Sequence, residues 1–293
     1  MTKEIRQALQ ICPENIRTAV EEKIKRTGIS PEELRVRNGQ PVWLSAGGKE
    51  IALENLTATR ETINRIVAAA TDHSVYAAQK MLRSGFVTIP GGHRLGICGS
   101  AVQRGDEIST IKEISSLNLR IARQVRGCAD AAVDYLWTHP RSALLAGPPG
   151  CGKTTVLRDL IRQISDRYGW RVGVADERLE IAGAVDGVPQ FDIGRHTDVL
   201  SGANKAAAVE ILLRTMSPQW IALDEISAAE DAQAVVHGGY CGVRFLATVH
   251  AYGRTDLFRR PVYQKLLSEG LFSTLITIGA DHSVHMERME SNV

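Results

Sequence analysis

The stretch Ser142-Ala143-Leu144-Leu145-Ala146-Gly147-Pro148-Pro149-Gly150-Cys151-Gly152-Lys153-Thr154-Thr155 decides the fold. A short apolar run enters a complete G-x-x-x-x-G-K-[ST] string, and residues 154–164 behind it carry apolar side chains at helical spacing. Clusters of glycine and proline alone mark turns; flanked by a strand and a helix, this one is the signature of a nucleoside triphosphate site. Its glycines let the backbone wrap a phosphate chain, so that successive N–H groups face the oxygens while Lys153 reaches the terminal phosphates. Thr154 offers a hydroxyl to Mg²⁺, and the helix N-terminus adds the positive end of its dipole. Gly147, Pro148, Pro149, Gly150, Cys151, Gly152, Lys153, Thr154 and Thr155 form the expected ATP-binding set.

Downstream, β-rich runs at 171–176, 220–225 and 243–250 alternate with helical patterns at 205–216 and 228–237. This alternation predicts an α/β domain over 128–293, a RecA-like P-loop ATPase domain whose parallel sheet is flanked by helices. Ligands of such sheets sit beyond the strand C-terminal ends, which makes every polar strand end a candidate. Asp224 and Glu225 end one apolar run: Asp224 is placed to hold Mg²⁺ through a water, and Glu225 to polarise the water that attacks a γ-phosphate. Asp176-Glu177-Arg178-Leu179-Glu180 ends another, where the acids either orient water or metal or cap the next turn. Spacing leaves Glu177 and Glu225 as alternative bases. Thr248 and His250 end a further strand, as a γ-phosphate sensor or as ordinary structural residues. Phosphoryl transfer also gains from a guanidinium donated by a neighbouring subunit. The candidates are Arg195, Arg214, Arg254, Arg259 and Arg260 in this half, with Arg94, Arg120 and Arg123 in the other.

Residues 1–127 read as a separate α+β domain. Two helical stretches within residues 3–27 flank Pro13, and 34–37 with 42–44 bracket an Asn38-Gly39 turn as a β-hairpin. Helices are expected at 59–70 and 74–82, two short strands within 86–99, and a mixed pattern over 108–121. In the second half, the stripe Phe258, Val262, Leu266 and Leu267 reads as helix core interrupted by Pro261. His282 and His285 are three residues apart on a β-like segment, which puts them on opposite faces and argues against a zinc site.

The 293 residues carry a net charge of +2, with 23% charged and 44% hydrophobic side chains. Such a balance gives no electrostatic mandate for nucleic acid or for an anionic membrane. Five cysteines without a C-x-x-C pair, one inside the phosphate loop, fit a reducing cytoplasm. No run of about 18 apolar residues is present, so association with a membrane is expected through partners.

The segments Asp176-Glu177-Arg178, Gly194-Arg195-His196-Thr197-Asp198-Val199-Leu200, Leu213-Arg214-Thr215-Met216-Ser217-Pro218, Trp220-Ile221-Ala222-Leu223-Asp224-Glu225-Ile226 and Ala247-Thr248-Val249-His250-Ala251 together resemble the stage III sporulation protein AA family, within the type II and type IV secretion ATPase superfamily. The resemblance extends forward through 34–41, 85–94 and 118–122. It implies a cytoplasmic homo-oligomer, a hexamer, that docks on small integral membrane proteins and powers a channel between mother cell and forespore. It also puts the superfamily's acidic box on Asp176 to Glu180, its metal-binding and catalytic acids on Asp224 and Glu225, and its histidine box on His250. Where general secretion ATPases read Gly-Glu, this chain has Asp224-Glu225, and His196 stands in a segment expected to read Arg-Thr. The competing readings are a RecA-like nucleic-acid-handling ATPase and a small-molecule kinase. The near-neutral charge disfavours the first, and the acid pair with the large N-terminal domain disfavours the second.

Overall fold

A computed structural model describes residues 1–105 and 107–289. The chain divides into two compact units, Met1–Arg123 and Gln124–Val293. The first contains α1 (Lys3–Ala8), α2 (Glu14–Thr27), β1 (Glu33–Arg37), β2 (Pro41–Ala46), β3 (Lys49–Thr57), α3 (Arg60–Ala70), α4 (Val75–Ser84), β4 (Phe86–Ile89), β5 (His93–Arg104) and β6 (Glu107–Arg120). Its strands form one antiparallel sheet in the order β3-β2-β1-β6-β5-β4. Along β1, Leu34 and Val36 are buried while Glu33, Arg35 and Arg37 alternate with them, the period-2 pattern of a half-covered sheet. Ile5, Ile16 and Val20 share a core with Ile63, Ile66, Leu44, Leu95 and Leu119. Helix α3 opens on a reciprocal cap, Thr59 Oγ1 accepting from Thr62 N and Thr62 Oγ1 from Thr59 N, each at 3.2 Å.

The mixed pattern over 108–121 is one long strand, β6. Register shifts near Cys98/Ser100 and Val102/Gln103 on its partner β5 break the two-residue period that would have revealed it.

The second unit holds α5 (Asp130–Thr138), β7 (Ser142–Ala146), α6 (Lys153–Tyr168), β8 (Val172–Asp176), β9 (Thr197–Ser201), α7 (Lys205–Thr215), β10 (Trp220–Leu223), α8 (Ala229–Tyr240), β11 (Arg244–Val249), α9 (Arg254–Phe258), α10 (Pro261–Ser268), β12 (Phe272–Ile278) and β13 (Val284–Arg288). The sheet order is β13-β12-β7-β11-β10-β8-β9. All pairings are parallel except that of the edge strand β13 with β12. Strands β7, β8 and β10 are buried along their whole length, as apolar runs without alternation require in a sheet covered on both faces. Pro261 begins α10, so the apolar stripe at 258–267 spans two helices. Residues 124–127, which the sequence reading gives to the first domain, go with the second unit. The Gln124 amide exchanges two hydrogen bonds with the Asp192 backbone, at 2.7 and 3.0 Å, and Arg126 pairs with the Asp192 carboxylate at 2.8 Å.

In the first unit, His93 is fully buried. Its Nδ1 accepts from Ala122 N at 3.0 Å, and its Nε2 has no partner among the described residues. Burial pushes this imidazole down to about 4. The folded state therefore resists a proton that the unfolded chain takes up near pH 6.5, so the contribution is complete above that pH and is lost as pH falls towards 4. Denaturation of the parent between pH 7 and 4 is expected to show a loss of about 2–3 kcal/mol that His93→Gln lacks.

Candidate nucleotide-binding site

Four neighbouring strands, in the order β7-β11-β10-β8, deliver the candidate residues at their C-terminal ends. The loop 147–152 follows β7, His250 follows β11, Asp224 and Glu225 follow β10, and Asp176 with Glu177 closes β8. Parallel order thus assembles in space what the chain spreads over a hundred residues.

The loop needs glycine for two different reasons. A Cβ at Gly147 would lie 2.5 Å from Cys151 Sγ and 2.6 Å from the Ile278 carbonyl, so nothing larger fits. Gly150 and Gly152 have φ of +78° and +96°, where other residues are strained. Lys153 opens α6 and is buried. Its Nζ donates to Gly147 O at 2.9 Å and Pro148 O at 2.8 Å, and lies 2.9 Å from His250 Nδ1. All three partners are neutral acceptors. Burial holds the ammonium below its ordinary pKa, with Cys151, Glu225 and Asp224 acting in the opposite sense. A buried cation satisfied by neutral groups, at a helix N-terminus and within a glycine-rich loop, suits a polyphosphate.

His250 links this lysine to the acids. With Nδ1 accepting from Lys153, Nε2 carries the proton and faces Glu225 Oε2 at 3.3 Å. Asp224 Oδ1 accepts from the buried Thr248 hydroxyl at 2.5 Å. Thr248 thereby orients Asp224, a role distinct from direct phosphate sensing, and uses one of its carboxylate oxygens. Thr154 is half-buried in the first turn of α6. Its hydroxyl and the Asp224 carboxylate are hard oxygen donors of the kind Mg²⁺ takes alongside phosphate.

The acidic segment 176–180 separates into two parts. Asp176 is buried and caps the following turn: its carboxylate accepts from the N–H groups of Glu180, Ile181 and Ala182 at 2.9, 3.1 and 2.9 Å. Burial raises its pKa in spite of these bonds. Arg158 closes the same turn from the other side, donating to the carbonyls of Ile181 and Glu180 at 2.7 Å each and stacking on Phe191. Glu177 is paired with Lys205 Nζ at 2.5 Å. Lys205, the buried first residue of α7, is absent from the sequence candidates. So is the role of His282, whose Nδ1 reaches the Cys151 carbonyl at 3.0 Å and braces the loop from the β12–β13 turn.

The candidate arginines have local partners or an exposed setting. Arg195 lies 3.7 Å from Asp166, Arg214 donates to Glu210 O, Arg260 pairs with Asp256, Arg254 faces the Phe258 ring, and Arg259 is exposed. In the first unit, Arg120 pairs with Glu33, Arg123 donates to Ser30 and Pro31, and Arg94 lies over Phe86.

A parallel sheet with a glycine-rich loop between β7 and α6 and polar residues at the adjacent strand ends defines the second unit as a RecA-like P-loop domain, in a chain with the fold of the secretion ATPases. The pilus retraction motor PilT, in a structure with bound ADP, matches with a TM-score of 0.67 at 18% identity, over 96% of this chain and 83% of that one. The ATPase DotB of Legionella pneumophila matches with a TM-score of 0.61 at 16% identity, over 94% of this chain and 80% of its own. The chain belongs to the family described as sporulation stage III, protein AA, whose sequence model matches residues 2–286. Stage III sporulation protein AA of Bacillus subtilis (strain 168) is 34% identical over 274 residues, 92% of this chain and 89% of that protein.

Removing the Asp176 carboxylate leaves three N–H groups without their acceptor. Asp176→Ala is expected to lower the stability of the second unit by about 3 kcal/mol in urea denaturation. A loss below about 1 kcal/mol would show that the cap does not hold the turn.

Proposed function

We propose that the chain is the ATP-hydrolysing subunit of a secretion-type motor. The observation that carries this reading is the chain of contacts from the phosphate loop through Lys153 and His250 to Glu225. Binding ATP would draw the Lys153 ammonium from the carbonyls of Gly147 and Pro148 onto the terminal phosphates, while the N–H groups of residues 150–155 line the phosphate chain. The move removes the donor on His250 Nδ1 and so reaches Glu225 through the imidazole that faces it.

Thr154 and Asp224 would hold Mg²⁺, which supplies neutralising charge at the β- and γ-oxygens. Thr248 keeps Asp224 oriented for that task. Of the two acids left open by the sequence, Glu225 is the better base. Glu177 has its charge neutralised by Lys205 at 2.5 Å, whereas Glu225 faces an imidazole that carries no charge in this arrangement. His250 positions Glu225, and Glu225 polarises the attacking water.

Similarity to the Bacillus subtilis sporulation protein over most of both chains supports a subunit that works with small integral membrane proteins at a sporulation channel. The fold shared with a pilus retraction motor supports a cytoplasmic homo-oligomeric ring, a hexamer, in which an arginine from the neighbouring copy completes the charge at the γ-phosphate.

Nucleotide binding and ATP turnover, measured against oligomer size, test the assignment. Lys153→Ala is expected to lose nucleotide binding. Glu225→Gln is expected to bind ATP and assemble while turnover falls by about a hundredfold or more. Full turnover in Glu225→Gln would move the base elsewhere, with Glu177 the first alternative.

A further inference from the structure

The opposite edge of the second unit's sheet, formed by the N-terminal ends of its parallel strands, has no part in the nucleotide site. There the turns 139–141, 169–171, 216–219, 241–243 and 269–271 are each three or four residues long, so the edge is shallow and broad. Three of its aromatic residues make a terrace. Trp137 is 51% exposed and stacks on Tyr168 with ring centroids 4.0 Å apart, and Trp170 lies against both at 5.6 and 5.4 Å. Met216, 45% exposed, adds a further apolar side chain.

The charged groups on this edge are mostly arginines. Arg288 ends β13, Arg141 precedes β7, Arg244 begins β11 and Arg171 precedes β8. In the sheet order these strands span five spacings, a line of guanidiniums about 24 Å long. Arg171 and Arg244 hydrogen-bond internally through Nε, on Ser217 O and Pro140 O at 2.8 Å each, and the Arg244 guanidinium also lies over the Trp220 and Trp170 rings at 5.6 and 6.0 Å. The side chains of Arg141 and Arg288 have no hydrogen-bond or ion-pair partner among the described residues. They share a recess of about 580 Å³ whose apolar walls include Leu267, Phe272 and Met289. Among nearby acids, Glu269 accepts from the Tyr240 hydroxyl at 2.6 Å, Asp134 lies 3.5 Å from Arg167, and Glu287 is exposed beside Arg288 on β13.

We propose that this edge is a membrane-docking surface that recognises anionic phospholipid. Tryptophan and tyrosine rings settle at the headgroup boundary, where one part of the ring is apolar and another is wet. Arginines strung over 24 Å meet several headgroups at once, whereas an acidic peptide needs its counter-charges gathered along a groove. The recess, with two guanidiniums beside Gln264, Ser268 and Ser273, seats an anionic headgroup. No helix among the described residues is long and apolar enough to cross a membrane.

Flotation of the full chain with liposomes tests this. The parent is expected to float with phosphatidylcholine vesicles containing about 30 mol% phosphatidylglycerol, to stay behind with phosphatidylcholine alone, and to be released by about 1 M salt. Replacing both unpartnered arginines, Arg141→Gln with Arg288→Gln, is expected to weaken partitioning about 25-fold, and Trp137→Ser about tenfold. Quenching of tryptophan fluorescence by brominated lipid is expected in the parent and is sharply reduced in Trp137→Ser. The paired Arg→Lys changes keep the charge and are expected to float like the parent, which separates loss of charge from loss of fold. The proposal is overturned if the parent ignores anionic vesicles, if neutral vesicles serve as well, or if the lysine pair is lost as fully as the glutamine pair. Binding of an acidic polyglutamate peptide with the vesicles left empty would assign the edge to a protein partner and also overturn it.

Discussion

The Lys153 ammonium is buried at the start of a helix, where the dipole already disfavours positive charge, and its three partners are two carbonyls and an imidazole. Much of the site follows from satisfying that one cation. The loop folds back so that Gly147 and Pro148 can offer their oxygens, and the fold-back requires a residue without a side chain at Gly147. His250 is held in one tautomer by the lysine and thereby presents its proton to Glu225. Lys153, His250 and Glu225, each beyond a different strand, are thus linked in series, and a phosphate that competes for the Lys153 Nζ reaches the other two through the imidazole. A change at any one member is therefore felt at the others, which makes their energies non-additive.

The two edges of the same sheet differ in construction for a physical reason. At the C-terminal edge the connections are long enough to carry a phosphate loop, a capped acidic turn braced by Arg158, and the β12–β13 turn that sends His282 back to Cys151. At the N-terminal edge the helix-to-strand connections are three or four residues long. They carry Arg141, Trp170 and Arg171 among small, polar and apolar residues. One edge has depth for a small molecule, and the other has breadth for an extended one.

The parts of this structure that were legible in the sequence are those whose signal is local. The strand-loop-helix at 142–168 could be read because its glycines, lysine and apolar runs lie within one short window, and β8, β10 and β11 because both their faces are covered. The resemblance to the sporulation family was likewise readable from contiguous segments, and the family match over residues 2–286 bears it out. Strands β3, β6, β9 and β12 escape the sequence reading, since edge positions and register shifts blur the alternation on which a strand reading rests. Lys205 and His282 were not legible as site residues at all: their partners lie 28 and 131 positions away, and no spacing rule reports such a distance. Asp176 illustrates a further limit. Its neighbours in sequence resemble a metal or water ligand set, yet burial and three backbone N–H groups make it a cap.

The most direct measurement is a crystal structure of the chain with Mg²⁺ and a slowly hydrolysed ATP analogue. Lys153 Nζ is expected to be withdrawn from the carbonyls of Gly147 and Pro148 and from His250, and bonded to the terminal phosphates, with Thr154 and Asp224 at the metal. A nucleotide bound elsewhere, or a phosphate chain in the loop with Lys153 still on its present three partners, would contradict it.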